Sequence, residues 1–211
     1  MWIDTHCHTK FSYDNWLEPL ALIQRAKALG LDGIVVTEHY SYEASQPVEK
    51  IAKDEGLLLL RGVEIATDHG HVLAYGVEDD GWNIWNRDNY LPIREVIEHI
   101  NKLGAICVPA HPFREFGLCS MLERLLDLND IAAVETHNGS NQQHDNDLAI
   151  KAAGHMSLPS LGGSDCHKVV AVGRCATEFT QHVTDMASFI AAIRAGACRG
   201  AYFPGYPPPS R

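Results

Sequence analysis

The sequence predicts an α/β fold in which a sheet of parallel strands is covered by helices. Short runs of apolar and β-branched residues alternate with segments of helical period along the whole chain. About seven such strand–helix units fit into the 211 residues, which is enough for a closed or nearly closed barrel; a doubly wound open sheet is the alternative. Residues 1–211 are expected to form a single domain.

In the first half of the chain, glycine and proline mark where the predicted elements begin and end. Pro19 suits the first position of a helix, and Gly30 ends that helix. Gly33 opens a β-branched run that is typical of a strand. Strands are predicted over 2–5, 33–37, 57–64 and 71–75, helices over 19–29 and 47–55, and a loop with two tryptophans over 79–89.

The second half of the chain continues the alternation. Gly104 and Gly154 follow segments of helical period and act as stop signals. The proline-rich segment after residue 203 cannot continue a helix or the interior of a sheet. Helices are predicted over 92–103, 118–126, 142–153 and 187–195, and strands over 105–110, 131–135 and 158–161.

Charge and cysteine content argue against several classes of protein. The chain has 17 basic and 27 acidic residues, a formal net charge of −10, and no segment rich in lysine or arginine, so nucleic acid is not expected as a partner. No apolar run approaches the roughly 20 residues that cross a bilayer, so no membrane association is expected. The six cysteines form no C-x-x-C pair. With no signal-peptide pattern, the protein is expected to be cytoplasmic with reduced thiols.

Histidines and carboxylates recur where the predicted strands end. His6 and His8 follow the first strand, and the later strand ends carry Glu38 with His39, Glu64, His111, Glu135, and Asp165 with His167. The carboxyl ends of parallel strands meet at one rim, so these residues are expected to lie together. His71 is the exception, because it opens its predicted strand.

This combination of side chains suits divalent metal ions. Neutral imidazole and carboxylate groups bind zinc, iron and manganese well. His6 and His8 share one face of an extended strand, because side chains alternate with period two, and Asp165 and His167 repeat that spacing. A single carboxylate among several histidines can bridge two ions, and Glu64 is the predicted bridge.

Three neighbours of these residues are interpreted differently. Cys7 points to the opposite face from its flanking histidines and is expected to be a buried core thiol. His137 and Glu135 lie at a strand end, and whether either takes part in the site is left open.

The motifs resemble those of the PHP (polymerase and histidinol phosphatase) family, in its small stand-alone phosphoesterase form. The matching segments, in the family's order, are 6–8 (HCH), 37–39 (TEH), 62–65 (GVEI), 70–76 (GHVLAYG), 110–112 (AHP) and 163–167 (GSDCH). Each is short, but six in the same order are specific together. The resemblance implies a distorted, TIM-like (β/α)7 barrel with parallel strands and outer helices, and three divalent metal ions, which would be zinc, iron or manganese.

Position by position, the resemblance also implies the metal ligands. The first ion would be held by His6, His8, Glu64 and Asp165. Glu64 would bridge to a second ion, which is completed by His71 and His111. The third ion would be held by Asp14, His39 and His167. Glu38 stands where the family usually has Asp, and it is expected to orient a histidine rather than to bind metal.

The expected reaction is hydrolysis of a small-molecule phosphomonoester, such as histidinol phosphate, a nucleotide or a sugar phosphate. Two ions would lower the pKa of a shared water and clamp the phosphoryl oxygens. The expected catalytic residues are Asp165, His39 and Glu64. Either Asp165 or His39 would pass a proton to the leaving oxygen, and the sequence does not choose between them.

Cationic side chains near the motifs are expected to bind the phosphate. Arg114 and Arg174 are the predicted phosphate-binding residues, because arginine makes bidentate contacts with phosphate, and Lys168 is a weaker choice. The short chain leaves little room for a specificity domain. Segments 79–89 and 114–118 are therefore the predicted substrate selectors.

Alternatives to this function remain at the level of sequence. Relatives with the same fold include nucleic-acid phosphodiesterases or exonucleases and protein-tyrosine phosphatases. A metal-binding regulatory domain without activity is a further possibility, although every expected ligand position carries a competent residue. A mononuclear deacetylase would need a bridging lysine or another order of ligands, and neither is found.

Overall fold

The computed structural model describes residues 1–115, 120–204 and 206, which form nine strands and five helices. The strands are β1 (Trp2–Cys7), β2 (Gly33–His39), β3 (Leu58–Thr67), β4 (Gly70–Tyr75), β5 (Ile106–Ala110), β6 (Val134–Asn138), β7 (Ser160–Gly163), β8 (Cys175–Phe179) and β9 (Cys198–Tyr202). The helices are α1 (Pro19–Leu29), α2 (Gln46–Glu55), α3 (Ile93–Lys102), α4 (Gln143–Met156) and α5 (Met186–Arg194). The predicted α/β class is confirmed.

The main sheet is mixed, so the prediction of a purely parallel sheet is wrong. Its seven strands run in the order β5-β4-β3-β2-β1-β8-β9, and a second sheet contains β6 and β7. β1, β2 and β3 are parallel, but β4 pairs antiparallel with both β3 and β5, and β8 pairs antiparallel with both β1 and β9. Strands β8 and β9 were not predicted.

The antiparallel direction of β4 follows from the length of its connection to β3. Only Asp68 and His69 separate the two strands, whereas a parallel crossover needs about a dozen residues or more. Gly70, with φ of +83°, closes this turn. His71 pairs with Ala66 near the carboxyl end of β3, so a residue that opens its strand still lies at the same rim as the others.

The small sheet joins the main sheet through β1. The backbone N–H of Asp165 donates to the His6 carbonyl at 2.8 Å, and Cys7 forms a parallel bridge with Cys166. Gly163 allows this close approach, because a Cβ there would lie 2.3 Å from the Cβ of His6. The last predicted ligands are thereby placed beside the first.

A buried aspartate holds the same junction together. The Asp4 carboxylate is fully buried and accepts from the backbone N–H groups of Ser164 (2.8 Å) and Gly173 (3.1 Å). On the other side, the N–H of Ala132, just before β6, donates to the carbonyl of Cys107 in β5 at 2.9 Å. The small sheet is therefore tied to both β1 and β5.

The helices cover the sheet, and their ends agree closely with the sequence pattern. Gly30 and Gly56 end α1 and α2 in the left-handed conformation, as expected for helix stop signals. The predicted helix over 118–126 is wrong for its described part, which forms a 3₁₀ helix over Leu122–Asp127; residues 118 and 119 lie outside the described residues.

The loop over 79–89 is packed rather than free. Trp82 is 1% exposed and belongs to the apolar cluster beneath α3. Asp80 accepts from the Ser41 hydroxyl (2.6 Å) and from the backbone N–H of Tyr42 (2.5 Å), so the loop is tied to the turn that follows β2. Among the described residues, none of the helices is both long and apolar enough to span a membrane.

Candidate metal centre

All nine predicted metal ligands meet at the rim where β1, β2 and β3 end. Four sets of three residues each, three of which share members, offer ligand atoms within 4.8 Å of one another. The sets are His6, His8 and Glu64; His6, His111 and Asp165; Glu64, His71 and His111; and Asp14, His39 and His167. Three of the sets correspond to the implied ions, whereas the set of His6, His111 and Asp165 joins residues implied for two different ions; the role of all nine as ligands stays a prediction.

Glu64 lies at the centre and turns its two oxygens toward different histidines. Oε2 is 3.3 Å from the Nε2 of His6 and 3.0 Å from the Nε2 of His8. Oε1 is 2.8 Å from the Nδ1 of His71 and 2.9 Å from the Nε2 of His111. A carboxylate divided in this way has the arrangement that a bridge between two cations requires.

The third set faces outward. The Nε2 atoms of His39 and His167 lie 3.4 and 3.3 Å from the Oδ2 of Asp14. The His39 Nδ1 is 3.3 Å from Glu64, which links this set to the central carboxylate. The side chains of Asp14 and His167 are about a third exposed, whereas Glu64 is 1% exposed, so solvent reaches the centre from this side.

Buried acceptors fix the orientation of the first two histidines. The Nδ1 of His6 donates to Oε1 of Glu135 at 2.8 Å. The hydroxyl of Ser12 donates to Glu38 at 2.5 Å and therefore accepts from the Nδ1 of His8 at 3.2 Å. Both rings thus turn Nε2 toward the cluster, the atom that would bind a metal ion, which is how outer partners prepare histidine ligands.

Glu135, whose part in the site the sequence left open, contacts two of the predicted ligands. Besides His6, it accepts from the backbone N–H of His111 at 2.7 Å and from the amide of Asn138 at 3.0 Å. The position of this acid at a strand end was the available signal. His137, in contrast, contacts Thr136 and the ring of Tyr202, and its ring belongs to none of the four sets of ligands among the described residues.

The donor set fits a cation. The Nε2 atoms of His6 and His8 are 3.0 Å apart, and two unprotonated nitrogens at that distance repel each other unless a cation sits beside them. Burial lowers the pKa of His6, but the charges of Glu135 and Glu64 outweigh burial and hold that pKa well above its usual value. The field at this position therefore favours positive charge, whether a proton or a metal ion.

The carboxylates stay ionised in the same field. Burial raises the pKa of Glu64 and of Asp165, but neighbouring histidines, and for Asp165 also Arg114, outweigh burial, and the pKa of each carboxyl lies below its usual range. A hydrogen bond with His39 lowers the pKa of Asp14 to about 2. Burial lowers the pKa of His111 to about 4, which keeps its ring neutral and able to bind metal.

The two predicted phosphate-binding arginines have different surroundings. Arg114 donates to Asp165 Oδ2 (2.8 Å), Asn138 Oδ1 (2.6 Å) and Asn141 Oδ1 (2.7 Å), so its guanidinium is held at the inner edge of the cluster. Arg174 is exposed, and its Cβ lies close to Gly139. Lys168 is also exposed. Phosphate binding by these residues stays a prediction.

A cavity of about 330 Å³ opens on the outward side of the centre. Its walls are Tyr13, Asp14, His39, Tyr40, Ala66, Thr67, His71, Asn89 and Tyr90. The predicted selector segment 79–89 contributes Asn89 to the wall. Of the other predicted selector, 114–118, residues 116–118 lie outside the described residues.

Two family models match the chain. The model of the PHP domain matches residues 4–115, which is more than half of the chain, and the model described as PHP-associated matches residues 143–198. The residues of the cluster come from both matched segments, since Asp165 and His167 lie in the second.

Curated relatives share parts of the chain. An uncharacterized protein of Methanocaldococcus jannaschii is 28% identical over 146 residues, covering 64% of this chain and 80% of the relative. A probable histidinol-phosphatase of Thermotoga maritima is 33% identical over 72 residues, 31% of each chain. A 5′-3′ exoribonuclease of Haemophilus influenzae is 37% identical over 65 residues, 31% of this chain and 23% of the relative. The chain therefore matches less than a third of the length of the two relatives with a named activity.

Solved structures share the fold over nearly the whole chain. PsfC from Pseudomonas syringae superposes with a TM-score of 0.74 at 17% identity, covering 96% of this chain and 91% of PsfC. A lesion-specific endonuclease from Pyrococcus furiosus superposes with a TM-score of 0.67 at 20% identity, covering 94% of this chain and 57% of the endonuclease. At these identities the likeness is one of fold.

Proposed function

Because the chain belongs to the PHP domain family and is a metal-dependent phosphoesterase, we propose that it hydrolyses phosphomonoesters of small molecules at a trinuclear centre. The nine clustered residues would hold three divalent ions, and zinc, iron and manganese all accept these ligands. The three carboxylates of the set balance only half of the charge of three such ions. The loaded centre would therefore attract a phosphate anion.

The observation that carries the proposal is the division of the Glu64 carboxylate between two groups of histidines. One oxygen faces His6 and His8 and the other faces His71 and His111, each at 2.8–3.3 Å. This arrangement supports two adjacent ions that share one carboxylate. The ions would supply positive charge for the phosphoryl oxygens and would lower the pKa of nearby water.

The remaining chemistry concerns Arg114 and the leaving oxygen. We assign to Arg114 a fixed positive charge beside the transferring phosphoryl group, because its guanidinium is held against Asp165 at 2.8 Å. The proton of the leaving oxygen would come from solvent water, because both nitrogens of His39 face carboxylates of the centre and the Oδ2 of Asp165 already accepts from Arg114 and Asn138.

We also propose that residues 1–211 act as one catalytic unit. The Asp165 carboxylate from the second matched segment lies 3.7 and 3.5 Å from the Nε2 atoms of His6 and His8 in the first. Neither segment alone contains the complete set of ligands.

Hydrolysis of nucleic-acid phosphodiesters is the second candidate. It is favoured by the match to the Haemophilus exoribonuclease, which covers 65 residues. The net charge of −10 argues against it, because a nucleic-acid groove needs clustered lysine and arginine. Small phosphomonoesters therefore rank first, and protein phosphotyrosine ranks below both.

A panel of esters tests the proposal. The full chain, loaded separately with Mn²⁺, Fe²⁺ and Zn²⁺, is assayed against phosphomonoesters, dinucleotides and single-stranded RNA and DNA. We expect turnover of monoesters and little of diesters, and loss of turnover in Glu64→Gln. Exonuclease activity that exceeds monoesterase activity would reverse the ranking, and metal-loaded protein that turns over no ester would contradict the proposal.

A further inference from the structure

Three tyrosines, Tyr13, Tyr40 and Tyr90, form an aromatic wall beside the outward-facing part of the centre. The rings of Tyr13 and Tyr40 are stacked, with centroids 5.9 Å apart and an interplanar angle of 13°. The Tyr13 ring is also 5.3 Å from the ring of His39, at the floor of the cavity. An aromatic surface therefore begins next to the place where a phosphate would bind.

One face of the wall is open. The Tyr13 ring packs on Tyr40 on one side, yet the residue is 73% exposed, and Tyr90 is 62% exposed. Large aromatic side chains gain little from such exposure in water, and both of them line the cavity. Their rings are available to a bound molecule.

The backbone under the wall is held in an unfavourable conformation. Tyr40 has φ of +63° and Tyr90 has φ of +56°, a region in which glycine or asparagine is less costly. The Tyr40 N–H donates to the carbonyl of Glu64 at 3.1 Å, and its hydroxyl donates to Asn89 at 2.7 Å, so the ring is fixed in place. Tyrosine at both strained positions points to a use for the side chains.

The polar residues that line the cavity indicate what kind of organic group the ligand can carry. Among the described residues that line it, Asp14 is the carboxylate and none is a lysine or an arginine. The part of the lining that the structure describes therefore offers no lysine or arginine to an anionic group other than the phosphate at the cluster. The rest of the ligand is therefore expected to be flat and uncharged, or cationic.

We propose, on the basis of the function proposed above, that the aromatic wall selects phosphomonoesters whose organic group carries a planar aromatic ring, with Tyr13 as the stacking surface. Stacking on tyrosine suits any flat π system, because it depends on the faces of the rings rather than on specific hydrogen bonds. The ring can be bonded directly to the phosphate oxygen, as in an aryl phosphate, or carried on a sugar, as in a nucleoside monophosphate.

The experiment compares Tyr13→Ala and Tyr13→Phe with the unchanged protein, all loaded with the same metal and with metal content measured. The substrates are phenyl phosphate, a nucleoside 5′-monophosphate and glycerol 2-phosphate, which has no ring. Trp16→Ala is the matched control, because Trp16 lies in the same loop, is 90% exposed and does not line the cavity.

We expect Tyr13→Ala to lower kcat/KM about tenfold for an ester with a ring and less than about twofold for glycerol 2-phosphate. Tyr13→Phe and Trp16→Ala should keep the preference. Of phenyl phosphate and the nucleoside 5′-monophosphate, the ester with the larger fall in kcat/KM shows whether the preferred ring is bonded to the phosphate oxygen or carried on a sugar. Equal loss on all three esters, or no loss on any, would overturn the inference.

Equilibrium dialysis provides a readout that does not depend on turnover. The same variants, loaded with the same metal, are tested for binding of non-hydrolysable phosphonate analogues of the three esters, and the ring-bearing analogues should bind more tightly to the unchanged protein than to Tyr13→Ala. If the protein turns over no ester but binds rings through Tyr13, the proposed function fails and the aromatic inference stands. If it turns over all esters without preference and binding is also unselective, only the inference fails.

Discussion

Replacing Glu135 by glutamine tests whether a residue that is not itself a ligand prepares the centre. The carboxylate is 1% exposed and accepts from His6 Nδ1 at 2.8 Å and from the backbone of His111 at 2.7 Å. Glutamine keeps the shape but removes the charge that holds the His6 ring. Loss of such an outer partner lowers metal affinity by about 10- to 100-fold, and kcat/KM at limiting metal should fall with it.

The same change should also reduce stability. A hydrogen bond to a charged group contributes about 1.5–3 kcal/mol, and 1 kcal/mol shifts Tm by about 2–4 °C in a chain of this size. The Tm of Glu135→Gln should therefore fall by roughly 3–12 °C. Metal affinity is measured by competition with a chromogenic chelator, and Tm by calorimetry.

Glu178→Gln is the matched control, because it makes the same substitution on strand β8. Glu178 pairs with Arg199 at 2.5 Å on the surface, and surface pairs contribute about 0–1 kcal/mol. Its metal affinity should be unchanged. If Glu135→Gln binds metal as tightly as this control does, Glu135 does not orient His6 and the reasoning is refuted.

Three further predictions concern the centre and its support. Glu64→Gln should lose more metal affinity than Glu135→Gln, and its kcat should fall at least about 100-fold, because Glu64 contacts histidines of two sets. Metal content is measured by elemental analysis, and an unchanged content would show that Glu64 does not bridge two ions. Removal of metal by a chelator should lower Tm, and Mn²⁺ added back at about 100 times its Kd should raise the free energy of unfolding by about 2.7 kcal/mol per site. An unchanged Tm in the presence of the chelator would contradict metal binding to the folded state. Gly163→Ala should lower the free energy of unfolding by about 1–3 kcal/mol or more, because the new Cβ would lie 2.3 Å from the Cβ of His6. In the control Gly154→Ala in α4, the new Cβ meets nothing within 4 Å, and the free energy of unfolding should rise by about 0.4–1 kcal/mol. Denaturant unfolding measures both variants, and equal effects would contradict the close packing at β1.

Much of the fold was predictable because its signals are local. The helix α1 has its predicted bounds, and α3, β2 and β4 lie within two residues of theirs, since proline, glycine and apolar period mark these elements. β9 was missed because its sequence, CRGAY, includes arginine and glycine and is only partly buried, so it has no apolar alternation. The 3₁₀ helix over Leu122–Asp127 was also mistaken for an α-helix, because the two share a similar apolar spacing.

Strand direction was the larger error, and its cause is physical. Side-chain alternation is the same in parallel and antiparallel strands, so burial patterns say nothing about direction. The connection between Glu64 and His71 did carry the information, because it is too short for a parallel crossover.

The identity of the candidate ligands could be inferred from the chain alone, because imidazole and carboxylate chemistry belongs to the residue type and the motifs keep a fixed order. The contacts between individual ligand atoms could not be inferred from the sequence. Glu64 faces two groups of histidines, Glu135 contacts His6, and Tyr13 lies beside His39 only because separate strands and loops converge at one rim. Those contacts join residues far apart in sequence, and their geometry depends on strand direction, close glycine packing and buried hydrogen bonds that no local pattern encodes.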